Sequence, residues 1–159
     1  MPDEPDLPIL AQELIRSECV MALATAGEGG AWAAPVYYVF FRGAFYFFSN
    51  PESRHIQESL EGGQAAATIY PEAASWKEIR GVQMSGRVRE VRPGPKALGA
   101  GLAYAAKYPF LREFLGPGED VDPERIADRF RARLYRFTPD LVLYLDNRIR
   151  FGFRKAIQL

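Results

Sequence analysis

Apolar and polar positions change rhythm along this 159-residue chain, and each change marks an element. Ile9, Leu10, Leu14 and Ile15 recur at helical spacing and predict a helix over Leu7–Ser17. An apolar run at 19–25 reads as a first strand, with Ala26-Gly27-Glu28-Gly29-Gly30 as the turn that ends it. Residues 31–41 and 43–49 follow as strands joined tightly at Arg42-Gly43. Both are apolar at successive positions instead of alternating. Such strands should be covered twice, by a barrel interior on one face and by a partner surface on the other.

Residues 53–60 predict a short helix, stopped by Glu61-Gly62-Gly63. Residues 65–70 read as strand four. The fifth, over 81–91, alternates: Val82, Met84, Gly86 and Val88 share one face, Gln83, Ser85, Arg87 and Arg89 the other. Helices follow over 96–107, 109–115 and Pro123–Phe130, the last opened by Asp122 as N-cap and Pro123 at N1. Residues 133–137, 141–145 and 149–153 supply the closing strands. Strands in hairpin order with helices inserted late predict a mainly β fold, a β-barrel with peripheral helices. No linker divides the chain, so residues 1–159 are expected to form a single domain, with 1–6 as a disordered tail and 94–131 as a helical insert.

Composition changes this picture only by exclusion. Hydrophobic residues make up 48% and the net charge is zero, which suits a folded domain and gives no basic field for nucleic acid. One histidine and one cysteine leave no disulfide framework and no metal site of the usual His/Cys type. Cys19, in an apolar run, is expected as a small core residue. The acidic, proline-rich start lacks a basic n-region, and the apolar stretch 31–48 is interrupted by Pro35 and Arg42-Gly43. The expectation is a cytoplasmic protein with no membrane partner. Arg87, Arg89 and Arg92 read as a solvated strand face, and no nucleic-acid partner is expected.

The chemistry concentrates in Tyr46-Phe47-Phe48-Ser49-Asn50-Pro51-Glu52-Ser53-Arg54-His55. An apolar strand runs into hydroxyls and an arginine at a helix start. There, unpaired backbone N–H groups and the helix dipole favour an anion. Ser49, Ser53 and Arg54 are therefore candidate phosphate ligands, although an ordinary helix start with a surface arginine carries the same residues.

This segment resembles the phosphate-binding stretch of the pyridoxamine 5′-phosphate oxidases, where an aromatic strand is followed by Thr-Asn and then Ser-Arg-Lys. Ile79-Arg80-Gly81-Val82-Gln83-Met84-Ser85-Gly86-Arg87-Val88 is similar to the strand that family writes as Arg-Gln-Val-Arg-Ile-Glu-Gly, and Ala34-Pro35-Val36-Tyr37-Tyr38 falls in the same order. A narrower resemblance, to the YhbP-like group, is carried by Ile79 to Gln83, Tyr108-Pro109-Phe110, Asp146-Asn147 and Phe151-Gly152-Phe153-Arg154-Lys155. The resemblance implies an FMN-binding split barrel, a homodimer, and FMN in a groove between subunits. A deazaflavin, F420, is the alternative cofactor that related branches suggest.

Carried over position by position, the cofactor-binding residues would be Pro35, Val36, Tyr37, Tyr38, Ser49, Ser53, Arg54, His55, Trp76, Arg80 and Gln83. Trp76 would stack at the flavin rim or seal a dimer seam, and Arg80 would serve a phosphate, the reduced ring or a surface ion pair. Departures matter as much. The family's Lys after Ser-Arg is His55 here, its flavin-contacting Gln aligns with Gly81, and its C-terminal Trp and Arg-Leu-His-Asp-Arg signature has no counterpart. Vitamin B6 oxidation is thereby excluded. The expected function is a flavin-dependent oxidoreductase of unknown substrate, with no catalytic acid or base identifiable. The alternative is a non-catalytic protein that binds or senses flavin, haem or another small molecule on the same fold.

Overall fold

A computed structural model describes residues 5–116, 118 and 122–159. The tail expected over 1–6 lies, for residues 1–4, outside the described residues, as do residues 117 and 119–121 of the insert. The chain runs α1 (Leu7–Ser17), β1 (Val20–Gly27), β2 (Gly30–Phe41), β3 (Ala44–Ser49), α2 (Arg54–Gly62), β4 (Ala65–Ile69) and β5 (Arg80–Glu90), with one 3-10 turn at Trp76–Glu78. Then come α3 (Pro95–Lys107), α4 (Phe110–Leu115), α5 (Pro123–Phe130), β6 (Arg133–Asp146) and β7 (Arg154–Ile157).

The strands pair antiparallel in the order β3-β2-β1-β4-β5-β6-β7, and β3 also pairs with β6. Six strands thus close on themselves as a barrel, and β7 extends β6 beyond it. Closure removes the free edges that an open sheet would expose. Leu23, Phe45, Phe47, Val82, Val88, Phe137 and Tyr144 fill the interior. Leu14 and Ile15 of α1 and Ile56 of α2 join them. Helix α1 begins where Asp6 accepts a hydrogen bond from Ile9 N at 3.2 Å.

Three expectations need correction. The strands expected over 133–137 and 141–145 are one, β6. Pro139 does not break it, because it sits opposite Gly86 at a bulge, where the ladder is already interrupted. A Cβ on Gly86 would come within 2.1 Å of Thr138 O, so the bulge requires glycine on the facing strand. Residues 149–153 form a turn instead of a strand; β7 starts only at Arg154. The turn is held by Asp146, which is buried and accepts hydrogen bonds from Tyr144 Oη at 2.7 Å and from Arg148 Nε and Nη2 at 2.9 and 2.6 Å. Cys19 is exposed, because it lies in the link between α1 and β1 and not within a strand.

Of the two strands apolar at successive positions, β3 and the end of β2 are buried on both faces, with a different cover from the one expected, while the start of β2 keeps one face exposed. Val39, Ala44 and Tyr46 point out of the barrel into a second core with Ala97, Ala100, Tyr104 and Ile126 of the chain's own insert. The insert is pinned at the end of α3. Tyr108 Oη lies 2.5 Å from Tyr38 O and 2.9 Å from Cys19 O, and Lys107 Nζ donates to Glu18 O at 2.5 Å while sitting 4.0 Å from the Tyr38 ring centre. Burial pushes the Lys107 ammonium below its usual range and the Tyr38 and Tyr108 phenols above theirs.

Candidate functional site

β3 leaves the barrel at Ser49, and α2 begins five residues later at Arg54. Between them Asn50 builds the turn: its side chain accepts from Glu52 N at 2.8 Å, and its carbonyl accepts from Ser53 N at 3.0 Å and Ser53 Oγ at 2.7 Å. Ser53 is the N-cap residue, yet its hydroxyl makes no capping bond. The first-turn amides of α2 are left without that side-chain partner. His55 Nε2 lies 2.6 Å from Ser49 Oγ and 3.4 Å from Ser53 Oγ. Two hydroxyls and an imidazole therefore converge beside a helix start. Burial holds the His55 pKa below its ordinary 6.5, so the ring is neutral at pH 7.

Arg54 is turned away from this group. Its Nε donates to Glu58 Oε1 at 2.5 Å, and its guanidinium lies over the Trp32 ring at 4.5 Å. Glu58 also accepts from Thr25 Oγ1 at 2.8 Å, and these two partners hold its carboxyl below the usual range. The Nη2 of Arg54 is buried without a hydrogen-bond partner, close against Gly29. One donor of the expected set is thus engaged with the β1–β2 hairpin.

A cleft of about 560 Å³ opens between the barrel and the insert. Pro35, Val36, Tyr37 and Ser49 line its barrel side, so four of the eleven expected residues meet there. Tyr38, their neighbour, does not face it: that ring is in the core, and its hydroxyl donates to Ile15 O at 2.6 Å. Phe48 and Asn50 also line the cleft, and Tyr104, Phe110, Ile126 and Phe130 form the opposite wall. Reading the sequence assigned the insert no site residue. Its apolar spacing was visible, but spacing alone does not separate a helix face that packs from one that walls a cleft.

The remaining expected residues lie elsewhere on the chain. Arg80 and Gln83 line a cavity of about 440 Å³ with Tyr70, Ile79 and Gly81. A side chain at Gly81 is excluded, since a Cβ there would stand 2.7 Å from Ile69 O. Trp76 is 56% exposed and meets Phe151 edge to face at 5.4 Å, and its carbonyl accepts from Asn147 Nδ2 at 2.7 Å. These two groups of residues are joined by an outward sheet face, along which Pro35, Ala22, Thr68 and Gln83 stand directly opposite one another on successive strands. The next row is Ala33, Ala24, Ala66 and Ser85.

Comparison with known proteins agrees with this architecture. The profile of the pyridoxamine 5′-phosphate oxidase family matches residues 7–142. The UPF0306 protein YhbP of Escherichia coli O157:H7 is 28% identical over 152 residues, covering 94% of this chain and 88% of that protein. Among solved structures, a heme binding protein from Mycobacterium smegmatis superposes with a TM-score of 0.73 at 16% identity over 98% of this chain, which spans only 59% of its length. An FAD-binding protein from Mesorhizobium loti superposes with a TM-score of 0.63 at 16% identity, covering 95% of this chain and 94% of that one. The chain belongs to the pyridoxamine 5′-phosphate oxidase family and has the split-barrel fold, with YhbP proteins among its relatives.

Proposed function

We propose, from the chain's place in the pyridoxamine 5′-phosphate oxidase family, that it is a cytoplasmic, homodimeric FMN-binding protein acting as a flavin-dependent oxidoreductase, and that pyridoxamine phosphate is not its substrate. The observation that carries this reading is the convergence of Ser49, Ser53 and His55 beside the first turn of α2, with Ser49 reaching the barrel side of an apolar cleft. Those donors suit a phosphate monoester, which needs hydrogen bonds from several directions. Ser49, Ser53 and His55 would hold the phosphate, and the β2 backbone at Pro35–Tyr37 would face the ring. When bound, FMN supplies hydride or electron transfer, with the chain contributing position and electrostatics. Among the described residues no carboxylate or cation lines the cleft, so a proton needed there would come from solvent.

The dimer would form across the outward sheet face. Its small side chains, Ala24, Ala33, Ala66 and Ser85, let a second sheet approach closely. Arg80, Gln83 and Trp76, far from the cleft on one chain, would then be supplied by the second copy. A haem-binding, non-catalytic reading is favoured by the likeness to the Mycobacterium smegmatis protein and by the lack of an acid or base in the cleft among the described residues. One absorbance experiment separates the readings. Uptake of added FMN at one per chain, with bleaching by NAD(P)H and recovery in air, supports the oxidoreductase. A protein that refuses FMN but binds haemin supports the alternative, and refusal of F420 as well as FMN would end the flavin reading.

A further inference from the structure

We infer that the insert wall of the cleft is a binding subsite for a flat, uncharged, largely apolar ring, and that this is the substrate side of the site. The role rests on the flavin reading above; the ligand chemistry does not. Charged residues make up 25% of the chain, yet none lines this cleft among the described residues. An ionic group laid against the insert wall, away from the Ser49 end, would lose water with no counter-charge to replace it, which costs several kcal/mol for an unpaired ion.

The polar atoms that are present do not change this. Ser49 and Asn50 stand at the barrel side, while Tyr104, Phe110, Ile126 and Phe130 make the other wall wholly cyclic or aliphatic. Tyr104 directs its hydroxyl to Tyr37 O at 3.4 Å, and burial raises its phenol above the usual range, so it is not a hidden anion. Phe48 and Tyr104, which meet edge to face at 5.1 Å, both line the cleft, so a ring entering it meets aromatic side chains from the barrel and from the insert. Phe110 keeps 44% of its surface exposed at the rim. A ring lying across the cleft would cover it.

Titration calorimetry with 2-naphthol and naphthalene-2-sulfonate tests this, because the two share a ring system and differ in charge. With FMN saturating, so that the Ser49 end of the cleft is filled, 2-naphthol should bind at least about tenfold more tightly than the sulfonate, a difference of about 1.4 kcal/mol. Phe110→Asp should weaken 2-naphthol by about tenfold or more. Ala132→Phe, which fills the cleft without adding charge, should do the same, so one misfolded variant still leaves a decisive one. Equal or tighter binding of the sulfonate, or wild-type affinity in the folded variants, overturns the inference. Displacement of 2-naphthol by FMN overturns its assignment to the substrate side. FMN uptake without any 2-naphthol binding sinks the subsite alone, whereas charge-selective 2-naphthol binding in a protein that refuses FMN sinks the flavin reading alone.

Discussion

Two outward surfaces of this barrel are apolar, and they meet different fates. On β3 and the end of β2, Val39 stands opposite Tyr46, and both are buried with Ala44 by the chain's own helices. On β1, β4 and the start of β2, Ala24, Ala33 and Ala66 face outward with no element of the described residues over them. Size explains the difference. Rings need interlocking neighbours, and the small residues of α3 supply the hollows: Ala97 and Ala100 pack in the same core as Tyr46, and Gly99 lies against the Phe41 ring. A row of methyl groups offers nothing to interlock with and suits another sheet lying flat against it. An apolar strand thus states that it will be covered, while the sizes of its side chains state by what.

The largest expected effect breaks the bare surface. Ala66→Arg places a charge in the middle of the proposed seam, facing Ala24 and Ser85. An unpaired ion there should raise the dimer dissociation constant by about a hundredfold or more, while the diluted monomer melts as before. Sedimentation at graded concentrations reads this directly. A dimer that persists unchanged places the seam elsewhere.

Next comes the covered surface. A Cβ on Gly101 would lie 2.5 Å from Cγ of Pro123, a rigid ring on α5, so Gly101→Ala must push the two helices apart. It should cost about 1–3 kcal/mol in urea unfolding. Gly99→Ala is the control on the same helix: its nearest neighbour, at 3.0 Å, is the Phe41 ring edge, which can rotate aside. There the gain of about 1 kcal/mol from replacing a helical glycine should roughly offset the crowding. Equal losses from both would mean that α3 packing is not limited by the α5 contact.

The same contrast shows why some of this molecule was legible in its sequence and some was not. Local signals carried their elements: Asp122-Pro123 opens α5, Gly63 closes α2 with a φ of 71°, and alternation along β5 separates Gln83 from Val82 correctly. What failed depended on partners distant in the chain. Pro139 looks like a strand breaker until Gly86 is seen opposite it, and 149–153 looks like a strand until Asp146 is seen gathering Arg148 and Tyr144 around a turn. Ser49 stands out by its place before a helix start and His55 only through the family resemblance, and the two meet at 2.6 Å. Arg54 was named by the same logic, but its direction was decided by Glu58 one turn on and by Trp32 across a hairpin. The insert wall could not be read at all, because nothing within α4 or α5 says that its apolar face lines a cleft.

The divided donor set makes a smaller, sharper prediction. Ser49→Ala removes a hydroxyl 2.6 Å from His55 and should weaken FMN binding by about tenfold, the worth of about one hydrogen bond to a charged group. Arg54→Ala should weaken it less, because that guanidinium is held by Glu58 and Trp32. Flavin fluorescence quenching measures both. The reverse order would mean that Arg54 leaves Glu58 to grip the phosphate.

The smallest effect is one of pH, and two measurements on His55 should move in opposite directions. In the free protein burial lowers its pKa below the ordinary 6.5. Stability present above pH 6.5 is therefore lost as the pH falls through that lowered value, since the unfolded chain takes up the proton first. A bound phosphate dianion favours the charged ring instead and raises the pKa of the complex. FMN affinity should accordingly rise by about threefold to tenfold from pH 8 to 6.5, a window above the titration of phosphate itself near 6. His55→Lys supplies a cation that does not titrate in this window, so it should flatten the affinity profile. If affinity is already flat in the wild type, the imidazole does not touch the phosphate, and the contact between Ser49 and His55 is a structural bond rather than half of an anion site.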